Sequence, residues 1–360
     1  MEPNVEPNVE PKVKPKENPI NKKKKKPAIE LVIEEPLLLQ IAVPLQLVEL
    51  NHIYNEDCIT GMQKIASDSV DIVICDPPYN IGKDFGNNSD KQEMDAYLLW
   101  CDKWISECLR ILKPQGTLYI YGFSETLAFI RTRIYCNVRW LIWHYTNKVT
   151  PSLNFWQRTH ESILCCYKNK PVFNRDDVRE PYTDTFLKNA AGKVRKATKG
   201  RFSNSDKETI YTAHEGGALP RDVIKVPALA GGAGKKERVD HPTQKPLTLC
   251  DTLIKAALNK TGDTLLVVPF AGSGSECVSA KKNHVKFIGF EINNEYITIA
   301  NQRLTINEDI NETIINDTNT IINETTINTN DTTNTTINTH DITNTTINTH
   351  DYTSLSTNSI

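Results

Sequence analysis

No two of the nine cysteines in this 360-residue chain are spaced C-x-x-C. An odd count without that spacing fits neither a disulfide framework nor a zinc site, so reduced thiols and no metal are expected. No Gly-Lys-Ser or Gly-Lys-Thr occurs, which excludes a loop of the kind that cradles nucleotide triphosphates. The chain opens on Glu-Pro repeats rather than a basic and then apolar run, so no secretion signal is expected. No long apolar run is free of charge. Residues 31–50 come nearest, but Glu34, Glu35, Pro36 and Pro44 interrupt them, and packing against a domain is expected instead of a membrane span. Excess charge of one sign is also lacking, the formal net charge being only −2. A cytoplasmic protein is expected, or a nuclear one if Lys22–Lys26 serve as an address.

What is present divides unevenly. Residues 1–26 are rich in proline and lysine, and 305–360 are almost only Asn, Thr, Ile and Asp with a ten-residue near-repeat. Neither can bury an apolar face, so both are expected to be disordered tails. Residues 27–50 form an apolar N-terminal extension. From 51 onward, short β-branched runs alternate with amphipathic stretches. The clearest stretch places Met94, Tyr97, Leu98, Cys101, Trp104, Ile105, Cys108, Leu109 and Leu112 at helical spacing, with Pro114 and Gly116 ending it. Strands are expected at 117–121 and 139–145, with a helix at 124–134 between them. This alternation predicts an α/β fold, a doubly wound and mostly parallel sheet with helices on its faces.

Two strand ends carry chemistry. The run Val70–Cys75 reads as a buried strand, and Asp76-Pro77-Pro78-Tyr79 must stop it because consecutive prolines cannot continue a sheet. An acid, a stiff prolyl carbonyl and an aromatic ring are thus held at the edge where open α/β sheets bind ligands. An ordinary proline turn would look the same in isolation. The second strand, 264–268, runs into Pro269-Phe270-Ala271-Gly272-Ser273-Gly274, then a helix, then a strand ending at Glu291. Those glycines let backbone approach a nucleoside, and an acid seventeen residues beyond Gly274 is placed to hold ribose hydroxyls. The third glycine of a dinucleotide site is missing, which favours a nucleoside without pyrophosphate, S-adenosylmethionine being the obvious candidate. Between the two elements, over 147–245, lies a segment of little periodicity apart from one strand-like run at 162–167. From Phe186 to Lys245 it holds thirteen Lys or Arg against six Asp or Glu, as phosphate-backbone contact requires. A solvated loop would account for it if it stood alone.

Four pieces occur in one order: Asp57-Cys58, D-P-P-Y-N at 76–80, H-P-T-Q-K-P at 241–246 and P-F-A-G-S-G at 269–274. With them, residues 51–304 resemble the amino-group DNA methyltransferases that modify N6 of adenine or N4 of cytosine. The resemblance is to the subgroup in which D-P-P-Y precedes the cofactor loop. It implies a Rossmann-like fold with circularly permuted motif order: a catalytic half at 51–146, a target-recognition insert at 147–240 and a cofactor half at 241–304. It implies Asp76, Pro77, Pro78 and Tyr79 as catalytic residues. It implies S-adenosylmethionine held by Asp57, Cys58, Lys245, Phe270, Ala271, Gly272, Gly274 and Glu291, with Lys245 near the methionine carboxylate. His241 reads as structural. Lys193, Arg195, Lys196, Lys199 and Arg201 would meet double-stranded DNA, and no metal is called for. A homodimer and a cognate restriction endonuclease come with the resemblance as further partners.

Neighbouring families fit less well. Those with N-P-P-Y after the glycine loop carry an amide where this chain has Asp76, and cytosine-C5 enzymes need a Pro-Cys dipeptide, which is absent here. In the resembling family D-P-P-Y leans to adenine. N4-cytosine stays open as an alternative, as does a DNA-binding protein without activity, because Val268 stands where the family has an acid beside the cofactor.

Overall fold

Alternating apolar residues build the sheet from its centre outward. The protein is described from a computed structural model over residues 48–83, 90–147, 154–196 and 208–305. Both expected tails lie outside these residues, apart from Thr305, as do most of the extension, Lys199 and Arg201. The elements are β1 (His52–Asn55), α1 (Cys58–Gln63), β2 (Val70–Cys75), α2 (Met94–Ile111), β3 (Leu112–Gly122), α3 (Ser124–Arg131), β4 (Asn137–His144) and β5 (His160–Tyr167). They continue with α4 (Asp184–Asn189), β6 (Val194–Lys196), β7 (Glu208–Ile210), β8 (Val223–Lys225), α5 (Leu247–Ala257), β9 (Leu265–Val268), α6 (Ser275–Lys282) and β10 (Lys286–Glu291). A last helix, α7, covers 294–305.

Eight strands make one sheet in the order β1-β10-β9-β2-β3-β5-β4-β8, while β6 and β7 form a separate two-stranded sheet. Neighbours in the large sheet are parallel except at β5, which runs against both β3 and β4. The doubly wound, mostly parallel fold is therefore present. Strand β2 lies at its centre and is buried at all six positions. Its side chains alternate between two cores. Ile72 and Ile74 face the side that holds Leu249, Leu253 and Val278 from α5 and α6. Val73 and Cys75 face Met62, Trp104 and Leu127 from α1, α2 and α3. Asp71, an acid inside this strand, is accommodated by Lys113 Nζ at 2.8 Å and the Leu265 amide at 3.0 Å, which tie β2 to both neighbours.

Several boundaries differ from the sequence reading, three of them with consequences. Helix α2 buries Tyr97, Leu98, Cys101, Trp104, Ile105 and Cys108 as expected, but it ends at Ile111 and Leu112 begins β3. Pro114 disfavours helical backbone at Lys113, so the chain is already extended there. Helix α3 stops at Arg131 instead of 134. More important, β5 and β8 fall inside the expected insert 147–240 yet are strands of the main sheet. The segment that can serve as an insert is narrower than its composition suggested. All nine cysteines are free thiols. Among the described residues, no helix is long and apolar enough to cross a membrane.

Candidate active site

Because β2 and β9 are neighbours, with Val73 opposite Val267, the two motifs far apart in sequence emerge side by side at one sheet edge. A cavity of about 270 Å³ opens there, lined by both motifs and by Asp57, Cys58, Trp100, Lys245, Glu276 and Glu291.

The D-P-P-Y turn is clamped from several directions. Tyr97 on α2 donates its hydroxyl to the Pro78 carbonyl at 2.8 Å. Asp90, 1% exposed, accepts from the backbone of Asn80, Ile81 and Lys83 and fixes the next turn, where Asn80 has φ 60°. The Tyr79 ring is buried edge-on against Phe123, with centroids 5.1 Å apart. Its hydroxyl lies 2.8 Å from Asp76 Oδ1 and 2.9 Å from Glu161 Oε2.

Lys245 is the centre of charge. Its Nζ lies 2.6 Å from Asp76 Oδ2 and 3.8 Å from Glu161 Oε2, and its side chain is only 2% exposed. Burial opposes its charge, but the carboxylates of Asp76 and Glu161 outweigh burial and hold its pKa above the ordinary lysine value. The resemblance places Lys245 near the cofactor's methionine carboxylate; in the structure it lines the shared cavity and its ammonium is paired with Asp76.

On the other side of the cavity, the glycine loop needs its glycines. Gly272 has φ 48°, and a Cβ there would stand 2.9 Å from His241 Nε2. Gly274 has φ 75°, and its Cβ would lie 2.7 Å from Ala300 Cβ. Burial, then the charges of Lys245 and Arg303, lower the His241 pKa to about 4, so it is a neutral wall of the loop. Arg303 on α7 holds the loop from behind through the Ser273 carbonyl at 2.6 Å. Glu291 accepts the Gly272 amide on Oε2 at 2.8 Å and the Ile292 and Asn293 amides on Oε1, each at 2.9 Å, and lines the cavity. Burial raises its pKa. Phe270 meets Trp100 and Trp104 edge-on, with centroids 5.7 and 5.4 Å apart. Asp57 lines the cavity while its Oδ1 caps α1, accepting the Ile59 amide at 3.0 Å.

The structure thus gathers Asp76–Tyr79, Asp57, Cys58, Lys245, Phe270, Ala271, Gly272 and Glu291 around one cavity. Gly274 stands behind it as the left-handed residue before α6. Lys193, Arg195 and Lys196 are on the β6–β7 sheet or next to it, exposed and outside the cavity lining. Three residues were missed. Trp100 lies one position off the core stripe of α2. Glu161 opens β5, and Glu276 sits in the first turn of α6. Glu276 is 3% exposed, and burial together with the Asp76 charge pushes its pKa up to about 7. An acid two residues after Gly274, in the first turn of the following helix, is the one sequence signal for it, and helix first turns favour acids for their own sake. Val268 is buried in the core, 1% exposed, so the acids that reach the cavity in this half are Glu276 and Glu291.

An acidic turn and a nucleoside-type glycine loop at one edge of a doubly wound sheet define a group-transfer enzyme of the methyltransferase class. The DNA methylase family model for N6/N4 methyltransferases matches residues 70–302, and the chain belongs to that family. It is 32% identical over 256 residues to the Type II methyltransferase M.HpaI of Haemophilus parainfluenzae, spanning 69% of this chain and 72% of that protein. It is 30% identical over 263 residues to the DNA adenine methyltransferase YhdJ of Escherichia coli (strain K12), spanning 72% and 84%. The fold also matches the solved PvuII DNA methyltransferase (cytosine-N4-specific) with TM-score 0.51 and 15% identity, over 71% of this chain and 86% of that one. This chain is accordingly an enzyme that methylates DNA.

Proposed function

We propose that the protein transfers a methyl group to N6 of adenine at a specific site in double-stranded DNA. The observation that carries this reading is the Asp76 carboxylate, held by Lys245 and Tyr79 at the mouth of the cavity shared with the glycine loop. S-adenosylmethionine, when bound, supplies an electrophilic sulfonium methyl group. The residues present fit it: Phe270 and Trp100 offer aromatic faces for its adenine, Glu291 offers acceptors for ribose hydroxyls, and Glu276 offers a carboxylate for an ammonium. Asp57, Cys58 and Ala271 complete that wall.

An exocyclic amino nitrogen is a poor nucleophile because its lone pair is delocalised into the ring. Asp76 and the Pro77 carbonyl accept its two N–H bonds and favour a pyramidal nitrogen. Inside a duplex that amino group is out of reach, so the base is flipped, at a cost of a few kcal/mol. The faces of Tyr79 and Phe123 recover part of this by stacking, on the order of 1–3 kcal/mol per base. DNA of known sequence incubated with the protein and S-adenosylmethionine should yield N6-methyladenine at one motif by modified-base sequencing. N4-methylcytosine would overturn the base assignment, and no incorporation would overturn the activity.

Glu276 gives this reading a pH dependence. Protonation removes its charge as pH falls through about 7, so cofactor affinity should weaken on that side. Glu276→Gln should bind roughly ten-fold less tightly at higher pH, with the dependence flattened. Calorimetric titration across that range measures both, and unchanged binding would remove Glu276 from the cofactor site.

We read residues 168–222, with the β6–β7 sheet, as the DNA-contacting part. Lys193, Arg195 and Lys196 are exposed there, Lys196 facing Glu208 at 3.9 Å. Replacing all three by alanine should lower the slope of log affinity against log salt by about 2 to 3, measured by fluorescence anisotropy. An unchanged slope would move the contact elsewhere. A cytoplasmic setting, a homodimer and a cognate endonuclease are further expectations of the same reading.

A further inference from the structure

Glu161 belongs to none of the motifs, yet it stands beside the catalytic acid. Strand β5 runs antiparallel, so its beginning, paired as Ser162 opposite Gly122, lies at the edge where β2 ends. The carboxylate is 14% exposed. Tyr145 donates its hydroxyl to Oε1 at 2.6 Å, and the Tyr79 oxygen lies 2.9 Å from Oε2 and 2.8 Å from Asp76 Oδ1. A phenol has one proton. With both carboxylates ionised, the row Asp76–Tyr79–Glu161 has two hydrogen-bond distances and one proton to fill them.

Methylation, the reading on which this inference rests, releases the missing proton. When the N–C bond forms and the S–C bond breaks, the sulfur keeps that electron pair and the amino nitrogen becomes cationic. It regains neutrality by shedding one N–H proton and keeping the electrons of that bond. We propose that Glu161 is the final acceptor of this proton, which reaches it from the Asp76 carboxylate through the Tyr79 hydroxyl. Asp76 takes the proton from nitrogen and passes it from Oδ1 to the Tyr79 oxygen, while Tyr79 passes its own to Glu161 Oε2. Asp76 ends ionised, Tyr79 ends neutral and Glu161 ends as a neutral acid, so one proton has moved and charge balances. Lys245, 2.6 Å from Asp76 and 3.8 Å from Glu161, lets two carboxylates coexist before the proton arrives. Burial, then the charges of Asp76 and Glu161, hold the Tyr79 pKa far above its ordinary value, so Tyr79 conducts the proton without becoming a phenolate. Glu161 acts through its neighbours and is a positioning residue for the proton.

The test is single-turnover methylation of DNA by wild type, Glu161→Gln, Glu161→Asp, Tyr79→Phe and the Glu161→Gln/Tyr79→Phe double variant. Glu161→Gln and Tyr79→Phe should each slow the step by roughly 100-fold, with cofactor and DNA affinities near wild type. The double variant should be no slower than either single one, because the two residues act in series. Glu161→Asp should recover part of the rate. Additive losses, or a wild-type rate in Glu161→Gln, would overturn the relay alone. A wild type that transfers no methyl group refutes the methyltransferase reading itself, which is a different result.

Discussion

Asp76→Asn should lower methyl transfer on the order of 1,000-fold or more while leaving the fold and cofactor binding in place. The isostere suits its neighbours. Its amide oxygen can face the Lys245 ammonium, which now lies 2.6 Å from Oδ2, and its NH₂ can face the Tyr79 oxygen, now 2.8 Å from Oδ1. Tyr79 still has Glu161 as an acceptor. What is lost is the charge that receives the amino group's hydrogen bonds and then its proton. Asp76→Ala is a poorer test, because it strands a buried ammonium at a cost of about 3–5 kcal/mol. Labelled methyl transfer to DNA and calorimetry with S-adenosylmethionine, run on the same preparation, separate chemistry from binding. Substantial activity in Asp76→Asn would overturn the assigned mechanism.

Lys245→Met should be the most destabilising single change at the site. It keeps the apolar stem that packs by Tyr121, whose ring centroid is 5.0 Å from Nζ, but removes the cation shared by the buried carboxylates. Asp76 and Glu161, each 14% exposed, then face each other and Glu276 without compensation. Breaking such a pair costs about 3–5 kcal/mol. Crowded carboxylates bind protons more tightly in the folded than in the unfolded variant. Acidification therefore relieves the strain, and the stability difference from wild type should shrink as pH falls below neutrality. Urea denaturation at several pH values measures this. A constant or negligible difference would mean that Lys245 is not the centre of charge here.

These two residues also show what could be read without a structure. Asp76 was legible because its signal is local: a β-branched run, then prolines that end it at a sheet edge. The glycine loop was legible for the same reason, and the departure at Val268 stood out against it. The ion pair of Lys245 with Asp76 was not legible, since nothing within H-P-T-Q-K-P specifies which acid its side chain reaches. That β5 and β8 join the main sheet was not legible, because β8 is a three-residue strand in a polar, basic stretch and the strand-like run at 162–167 does not itself say which sheet it enters. Trp100 escaped notice because a tryptophan next to a helical core stripe looks like part of it.

The sheet, its two reactive strand ends and the family chemistry were legible in local pattern, because hydrophobic period and chain-ending prolines and glycines act over a few residues. Only the tertiary structure decided which side chains share the cavity. Strand direction and neighbour order are set by packing across the whole sheet, and the reversal of one strand is what brings Glu161 to Tyr79. The adjacency of β2 and β9 likewise brings Lys245 and Glu276 to Asp76, turning a lone acid into a charged, hydrogen-bonded group able to take a proton and return it.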